Sequence, residues 1–136
     1  MHILADGEDR HGDASRDAMG HIALSLLTFA ADNPSFAENL SDEEKDAAQR
    51  FLSSRGTTAT SDERHRVLYR NYLGRIAPEE RDLVLPSLID KLGLVGSRDE
   101  LATRIAEMEK SGVDELVIQP VVDPVAEMTE FAELAV

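Results

Sequence analysis

The stretch "GVDELVIQP", residues 112–120, decides the fold that the sequence predicts. It contains a short apolar run at residues 116–118, preceded by an acidic pair and followed by Gln119 and Pro120. A short and uniformly apolar run of this kind is typical of a strand buried on both faces, as in a parallel sheet. Since a parallel strand needs neighbours, other parts of the chain are expected to pair with it.

The region just before this stretch predicts one such neighbour. Residues 92–96, "LGLVG", form a second short apolar run, and the spacing of Ser97 and Glu100 is that of a capping box that starts a helix. The helix is expected over residues 97–111, with one apolar face packed against the strands. That face consists of Leu101, Ile105 and Met108.

A final helix is expected after Asp123, because an N-cap residue followed by a proline is a common helix start. Residues 92–136 therefore predict the order strand, helix, strand, helix, with parallel strands and right-handed crossovers. In this arrangement residues 116–118 pair in parallel with residues 94–95. The apolar residues 3–5 are a candidate third strand.

The segment 14–91 is predicted to be almost wholly helical, without a β-hairpin between Pro34 and Gly74. Residues 14–31 are expected to form a largely buried helix, because apolar side chains cover most of its circumference. One apolar face of this helix is formed by Ala18, Ile22, Leu26 and Phe29, and it is widened by Met19, Ala23, Leu27 and Ala30.

Capping-box pairs predict where the next helices of this segment begin. The first pair is Ser41 with Glu44, and the second is Thr60 with Glu63, whose helix is expected to end near Leu73. His21, in the most apolar helix, is interpreted as a packed or capping residue.

Composition limits the classes of partner and of chemistry. The chain has 136 residues, a net charge of −13 and a pI of about 4.6, so nucleic acid and anionic membranes are poor partners. It has no cysteine, which excludes disulfides and thiolate chemistry. No signal peptide is recognisable, and the most apolar stretch, residues 22–31, is too short to span a bilayer. We therefore expect a cytoplasmic protein.

Three segments resemble the luciferase-like flavin-dependent oxidoreductases. Residues 96–120, "GSRDELATRIAEMEKSGVDELVIQP", resemble the C-terminal end of that family, where a turn opens the seventh helix and an eighth strand follows. Residues 3–9, "ILADGED", and residues 62–84, "DERHRVLYRNYLGRIAPEERDLV", resemble further pieces of one branch. That branch has a Glu-Gly-His element where this chain has Arg70-Asn71-Tyr72.

The resemblance implies an α/β fold that is part of a (β/α)8 barrel. Such a barrel needs about 250 residues, so a chain of 136 would lack the first five or six strands. Residues 1–136 are expected to form a single domain with three parts. These are a strand end and loop at residues 1–13, a helical excursion at 14–91 and the C-terminal βαβα unit at 92–136.

The resemblance also implies a coenzyme, either flavin mononucleotide (FMN) or a deazaflavin. Gly96 and Ser97 follow a strand at a helix N-terminus, and Gln119 ends the next strand, so these three residues are candidates for binding the coenzyme, near its phosphate. The alternative is that Ser97 is only a helix cap and Gln119 only a residue at a strand end.

His65 and Arg70 are candidates for binding an acidic substrate group. They belong to a basic cluster that also contains Arg64, Arg66 and Arg75. The alternative is a solvated helix face that pairs with nearby carboxylates. The four histidines do not show metal-ligand spacing, and no nucleophile–base motif is recognisable, so no metal site is expected and no catalytic residue is identified.

Two functions from different classes follow. The first is the C-terminal part of a luciferase-like flavin- or deazaflavin-dependent oxidoreductase or monooxygenase, which contributes to the coenzyme and substrate pocket and is inactive alone. The second is a non-enzymatic α/β interaction module that is stable as a homo-oligomer or with a partner chain carrying the missing strands. An open strand edge at residues 116–118 would favour association in either case.

Overall fold

The structure is a computed structural model that describes residues 1–55 and 61–134, without the side chains of Ser61, Asp62 and Arg64. Its described part contains two short strands, seven α-helices and one 3₁₀ helix. In chain order these are β1 His2–Ile3, α1 Asp13–Asp32, α2 Pro34–Ala37, α3 Asp42–Ser54, α4 Ser61–Leu68, the 3₁₀ helix Pro78–Leu83, α5 Pro86–Leu92, β2 Val95–Gly96, α6 Arg98–Lys110 and α7 Pro124–Leu134.

Helix α1 lies at the centre of the core, in contact with α3, α5 and the 3₁₀ helix. Small residues on α1 let these neighbours approach closely. At Gly20 an added Cβ would lie 2.6 Å from two side-chain carbons of Ile76, so glycine makes room for that side chain. Leu27 on α1, Phe51 on α3 and Leu88 on α5 are fully buried. The core is therefore a helical one.

Two of the predicted helix starts are confirmed, and their capping boxes explain them. At α3 the Ser41 hydroxyl accepts from the Glu44 N–H at 3.3 Å, and the Glu44 carboxylate accepts from the Ser41 N–H at 2.9 Å. At α6 the same exchange joins Ser97 and Glu100, at 3.3 and 2.8 Å. The pair that includes Thr60 lies outside the described residues.

Glu44 also joins α3 to α5. Its side chain is fully buried and accepts from the Lys91 ammonium at 2.6 Å and from the Ser87 hydroxyl at 2.9 Å. Burial by itself raises the pKa of Glu44, but the hydrogen bonds from Lys91, Ser41 and Ser87 outweigh it and lower the pKa from 4.5 to about 2. The ionised carboxylate therefore stabilises the contact between the two helices.

We expect the substitution Glu44→Gln to remove an acid-sensitive part of the stability. The pKa is lower in the folded than in the unfolded state, so the unfolded chain binds more protons and stability falls as pH drops from 4.5 to about 2. The contribution is fully present above 4.5. With allowance for the half-exposed Lys91, it is on the order of 2 kcal/mol. Urea unfolding of both proteins, followed by circular dichroism at pH 7, 4 and 2.5, measures it.

The control for this prediction is Glu43→Gln, which removes an exposed carboxylate from the same first helical turn. The control should unfold like the wild type at all three pH values. The difference between wild type and Glu44→Gln should shrink towards the most acidic condition. A difference that stays constant with pH would contradict the role assigned to the ionised carboxylate.

The α/β partial-barrel prediction is wrong. The strands of the described residues are β1 and β2, two residues each, which pair in parallel with His2 opposite Val95 and Ile3 opposite Gly96. Residues 112–120 contain no strand, and the described chain is mostly helical. The strand–helix–strand–helix unit predicted for residues 92–136 is thus replaced by one short strand, a helix, an extended segment and a second helix.

The physical reason is that Leu116 and Ile118 are partly buried beside the helical body without a neighbouring strand. We call residues 113–122 the arm. In the arm Leu116 and Ile118 are half-buried, whereas Val117 is 83% exposed. Because exposure alternates in this way, Leu116 and Ile118 face the helical body. The arm forms no strand pairing with β2. An apolar run therefore predicts burial here without predicting its partner.

Other predictions for these regions are confirmed. The described part of residues 14–91 is helix, turn and loop, without a β-hairpin between Pro34 and Gly74. The Asp123 carboxylate caps α7 by accepting from the Ala126 N–H at 3.1 Å. In the described ranges no helix is long and apolar enough to cross a membrane. The helix expected to reach Leu73 ends earlier, because α4 stops at Leu68.

Candidate functional site

An apolar cleft of about 360 Å³ lies between the helical body and the arm. One wall comes from α1 and from the chain around the end of α5, and the other comes from α6 and residues 116–119. The lining residues are Met1, Met19, His21, Ile22, Leu73, Leu92, Leu94, Met108, Leu116, Val117, Ile118 and Gln119. Most of them are apolar, and the polar side chains among them are His21 and Gln119.

His21 is the most deeply buried polar side chain of this lining, with 6% of its surface exposed. Its Nδ1 atom is sealed from solvent and has no hydrogen-bond partner. Burial lowers the pKa of His21, and the charge of the Met1 α-amino group lowers it further; the Ala18 carbonyl and Glu127 offset part of this. The ring is therefore neutral at neutral pH, with one nitrogen able to donate and the other able to accept.

Gln119 joins the arm to a turn at the edge of the cleft. Its side-chain nitrogen donates a hydrogen bond to the Leu73 carbonyl oxygen. In that turn Asn71 has a φ of 58° and Leu73 a φ of 59°, in the left-handed region that a leucine rarely adopts. A left-handed conformation costs a non-glycine residue about 1–2 kcal/mol, so surrounding contacts such as the one from Gln119 must hold the turn.

A second, much smaller cavity of about 10 Å³ lies behind His21, with Arg55 and Glu80 in its lining. Arg55 and Glu80 form a buried ion pair at 2.6 Å, and Arg55 also donates to the Arg70 carbonyl at 2.6 Å. The Arg55 guanidinium lies 5.0 Å from the centre of the Phe51 ring. The His21 ring therefore has apolar groups on its cleft side and an ion pair near its other side.

The structure places the three predicted coenzyme residues in two different places. Gln119 lines the cleft, whereas Gly96 and Ser97 do not. At the α6 N-terminus the Glu100 carboxylate takes the position predicted for a phosphate, because it accepts from the Ser97 N–H and from Arg10. The Ser97 N–H and, to a smaller extent, Arg10 lower the pKa of Glu100, which keeps this carboxylate ionised.

The two predicted substrate residues are exposed and neither lines the cleft, although Arg70 lines the small cavity beside His21. His65 is on α4, and Arg70 is in the turn that follows it. Arg70 lines a separate polar cavity of about 320 Å³ together with Arg50, Glu79, Glu80 and Asp82. Carboxylates and guanidinium groups alternate there, which is what the solvated-face alternative predicts.

In the described ranges 1–55 and 61–134, no cluster of three or more histidine, aspartate or glutamate side chains could hold a metal ion. Of the two polar side chains that line the cleft, the sequence singles out Gln119 as a candidate site residue, whereas His21 is interpreted as a packed or capping residue. The signal available for His21 was a single imidazole in a helix with apolar side chains on most of its surface.

Comparisons with known proteins returned no match. This holds for family models, for curated proteins and for solved structures.

Proposed function

We propose that this chain binds the ring of a flavin-type coenzyme, FMN or a deazaflavin, in the cleft beside His21 and Gln119, as part of an oxidoreductase. The observation that carries the proposal is the cleft itself. Its volume of about 360 Å³ and its apolar walls with two polar side chains match the usual character of small-molecule sites. A planar, largely apolar ring system suits such walls.

The resemblance to luciferase-like flavin enzymes supports the same choice of ligand. The residues that carry it most clearly are 112–120, and four of these, residues 116–119, line the cleft. The segment that resembles a coenzyme-dependent family is therefore also the segment that forms a wall of the candidate site. The bound coenzyme would supply the hydride or oxygen chemistry, and this chain would bind and orient its ring.

We further propose that the chain does not turn over a substrate alone. A reacting ring must be held in a rigid site that excludes water. Here one wall of the cleft is the arm, in which Val117 is largely exposed. Productive chemistry would therefore require additional protein, such as a partner chain, to cover this side of the cleft.

Flavin titration tests the proposal. We expect the full chain to quench the fluorescence of FMN, or of a deazaflavin, with a dissociation constant in the micromolar range. We also expect no reduction of the bound coenzyme when a nicotinamide donor is added. Binding should weaken at least tenfold in Ile22→Trp, because an indole at this position fills part of the cleft.

The matched control is Phe29→Trp, which places the same indole on an exposed position of α1 that does not line the cleft. It should bind like the wild type. Equal binding by wild type and Ile22→Trp would place the coenzyme elsewhere. Turnover by the isolated chain would contradict the proposed dependence on further protein.

A second candidate function is a non-enzymatic interaction module, and one observation favours it. Val117 and Val125 are 83% and 78% exposed, and Met128 on α7 is also exposed. Large exposed apolar side chains are found at association surfaces, and Val125 and Met128 lie one helical turn apart on α7. Light scattering over a range of concentrations distinguishes the two functions, because this candidate predicts a stable oligomer without affinity for flavin.

A further inference from the structure

We propose that an open groove between α6, α7 and the first residues of the arm docks a basic, amphipathic peptide segment of a partner protein. We call this feature the outer groove, and its volume is about 300 Å³. Its apolar residues are Ile105, Met108, Val113, Leu116 and Phe131. Its polar residues are Glu109, Asp114 and Glu115. The inference goes beyond the proposed function, because it does not depend on the coenzyme.

The floor of the outer groove is apolar and uncovered. None of its five apolar side chains is buried, and Val113 is 42% exposed. The two helices that bound it bury little elsewhere, since α6 buries Leu101 alone and α7 buries no residue along Pro124–Leu134. A helix on a globular protein normally covers its apolar stripe. Apolar side chains that gather in an open groove and stay uncovered therefore indicate a binding surface.

The polar side chains of the outer groove are all acidic. In the described part of the chain, no lysine, arginine or histidine pairs with Glu109, Asp114 or Glu115. The surrounding sequence adds to this negative charge, because residues 105–134 contain eight carboxylates and one cation, Lys110. Unpaired charges of one sign beside an apolar surface attract and orient a ligand of the opposite sign.

The apolar floor and the carboxylates together define the chemistry of the occupant. A second copy of this chain would bring its own net charge of −13 towards the same carboxylates. A basic amphipathic segment satisfies both features, because its apolar side chains can lie on the floor while its lysine or arginine side chains meet the carboxylates. Met108 in the floor has a flexible thioether side chain, which can adapt to apolar groups of different shapes.

The outer groove also adjoins the apolar cleft. Met108 and Leu116 line both of them. A segment bound in the outer groove would therefore lie against the arm, which forms one wall of the cleft. The partner that this groove recognises would add protein at that wall.

Peptide binding tests the inference. The probe is a fluorescently labelled leucine–lysine peptide whose leucines recur at helical spacing, so that its helix has one apolar and one basic face. We expect the full chain to bind it with a dissociation constant in the micromolar range, and more weakly as salt is added. A serine–lysine peptide of the same length and charge should bind about tenfold more weakly, because it lacks the apolar face.

A charge variant locates the bound peptide. The triple substitution Glu109→Gln, Asp114→Asn and Glu115→Gln should weaken binding of the leucine–lysine peptide about tenfold, because it removes the carboxylates that attract the lysines. Fluorescence anisotropy measures both peptides on both proteins.

The matched control changes the net charge by the same amount elsewhere. Glu38→Gln, Asp42→Asn and Glu43→Gln alter exposed carboxylates after α2 and in the first turn of α3, and none of them lines the outer groove. This control should bind the leucine–lysine peptide like the wild type.

Each other outcome overturns the inference. Equal binding by wild type and groove variant, or an equal loss in the control, would mean that overall charge holds the peptide. Equal binding of the two peptides by the wild type would show that the apolar floor adds nothing, and this comparison needs no variant to fold. Absence of peptide binding, with a dimer in light scattering that the groove variant dissociates, would assign the groove to a second copy of this chain. Absence of binding without such a dimer would leave the groove without the proposed occupant.

Discussion

Replacement of Arg55 by methionine is expected to reduce the free energy of unfolding by about 3–5 kcal/mol, because it leaves the Glu80 carboxylate buried without its partner. The two side chains are 5% and 7% exposed and lie 2.6 Å apart. The substitution also removes the donor to the Arg70 carbonyl oxygen. Such a loss is a large part of the 5–15 kcal/mol typical of a folded domain, so chemical unfolding followed by circular dichroism should detect it readily.

The control for this prediction is Arg50→Met, which breaks an ion pair of the same chemistry on the surface of α3. Arg50 contacts Asp46 at 3.0 Å, with both side chains about half exposed. Surface pairs of this kind contribute about 0–1 kcal/mol. If the two variants were equally stable, Arg55 would have no special role in holding the 3₁₀ helix and the turn after α4 against the end of α3.

Phe51→Ala is expected to have an effect of similar size for a different reason. Phe51 is fully buried in the core between α1 and α3, and removal of a buried phenyl ring leaves a cavity that usually costs about 3–5 kcal/mol. The substitution also removes the ring that lies 5.0 Å from the Arg55 guanidinium. Urea unfolding of the purified variant measures the loss.

Phe29→Ala provides the comparison, because Phe29 is 48% exposed and has its edge-to-face partner, Phe36, on the surface beside it. We expect it to lose less than half as much stability as Phe51→Ala. A larger loss at Phe29 than at Phe51 would show that the core has been placed on the wrong face of α1 and α3.

The helix starts could be predicted from sequence because they depend on residues three positions apart. Ser41 with Glu44 and Ser97 with Glu100 each exchange two hydrogen bonds, and the geometry of that exchange requires little beyond the local chain. The end of α4 could not be predicted in this way. The apolar residues continue to Leu73, but Asn71 and Leu73 have left-handed backbones that tertiary contacts impose.

The spacing of apolar residues along α1 does not identify which face of this helix is buried. The sequence predicts a broad apolar arc that includes Ile22 and Phe29 as well as Met19, Ala23 and Leu27. Ile22 and Phe29 are exposed, whereas Met19, Ala23 and Leu27 face the core. A helix with apolar side chains on most of its surface offers several possible inner faces. The choice depends on α3 and α5, and their positions are not encoded within α1.

The sequence could indicate a residue of the candidate site only where that residue belongs to a short local motif. Gln119 follows the apolar run of the arm and lines the cleft, and its contact with a coenzyme stays a prediction. Ser97 was proposed for a phosphate, but the capping box that predicts its helix also supplies the competing anion, Glu100. His21 could not be assigned from sequence, because its environment depends on residues that are far apart in the chain.

The arm gives the cleft one wall that few backbone hydrogen bonds hold in place. In the described residues the amide groups of residues 114–119 donate no backbone hydrogen bond, and the Gln119 amide ties the arm to Leu73. The arm can therefore separate from α1 without disturbing Leu27 or Leu88, which hold the core. Such local opening requires far less free energy than global unfolding. Ligand entry and residence time would consequently follow the opening rate of the arm and be independent of the unfolding rate of the helical core.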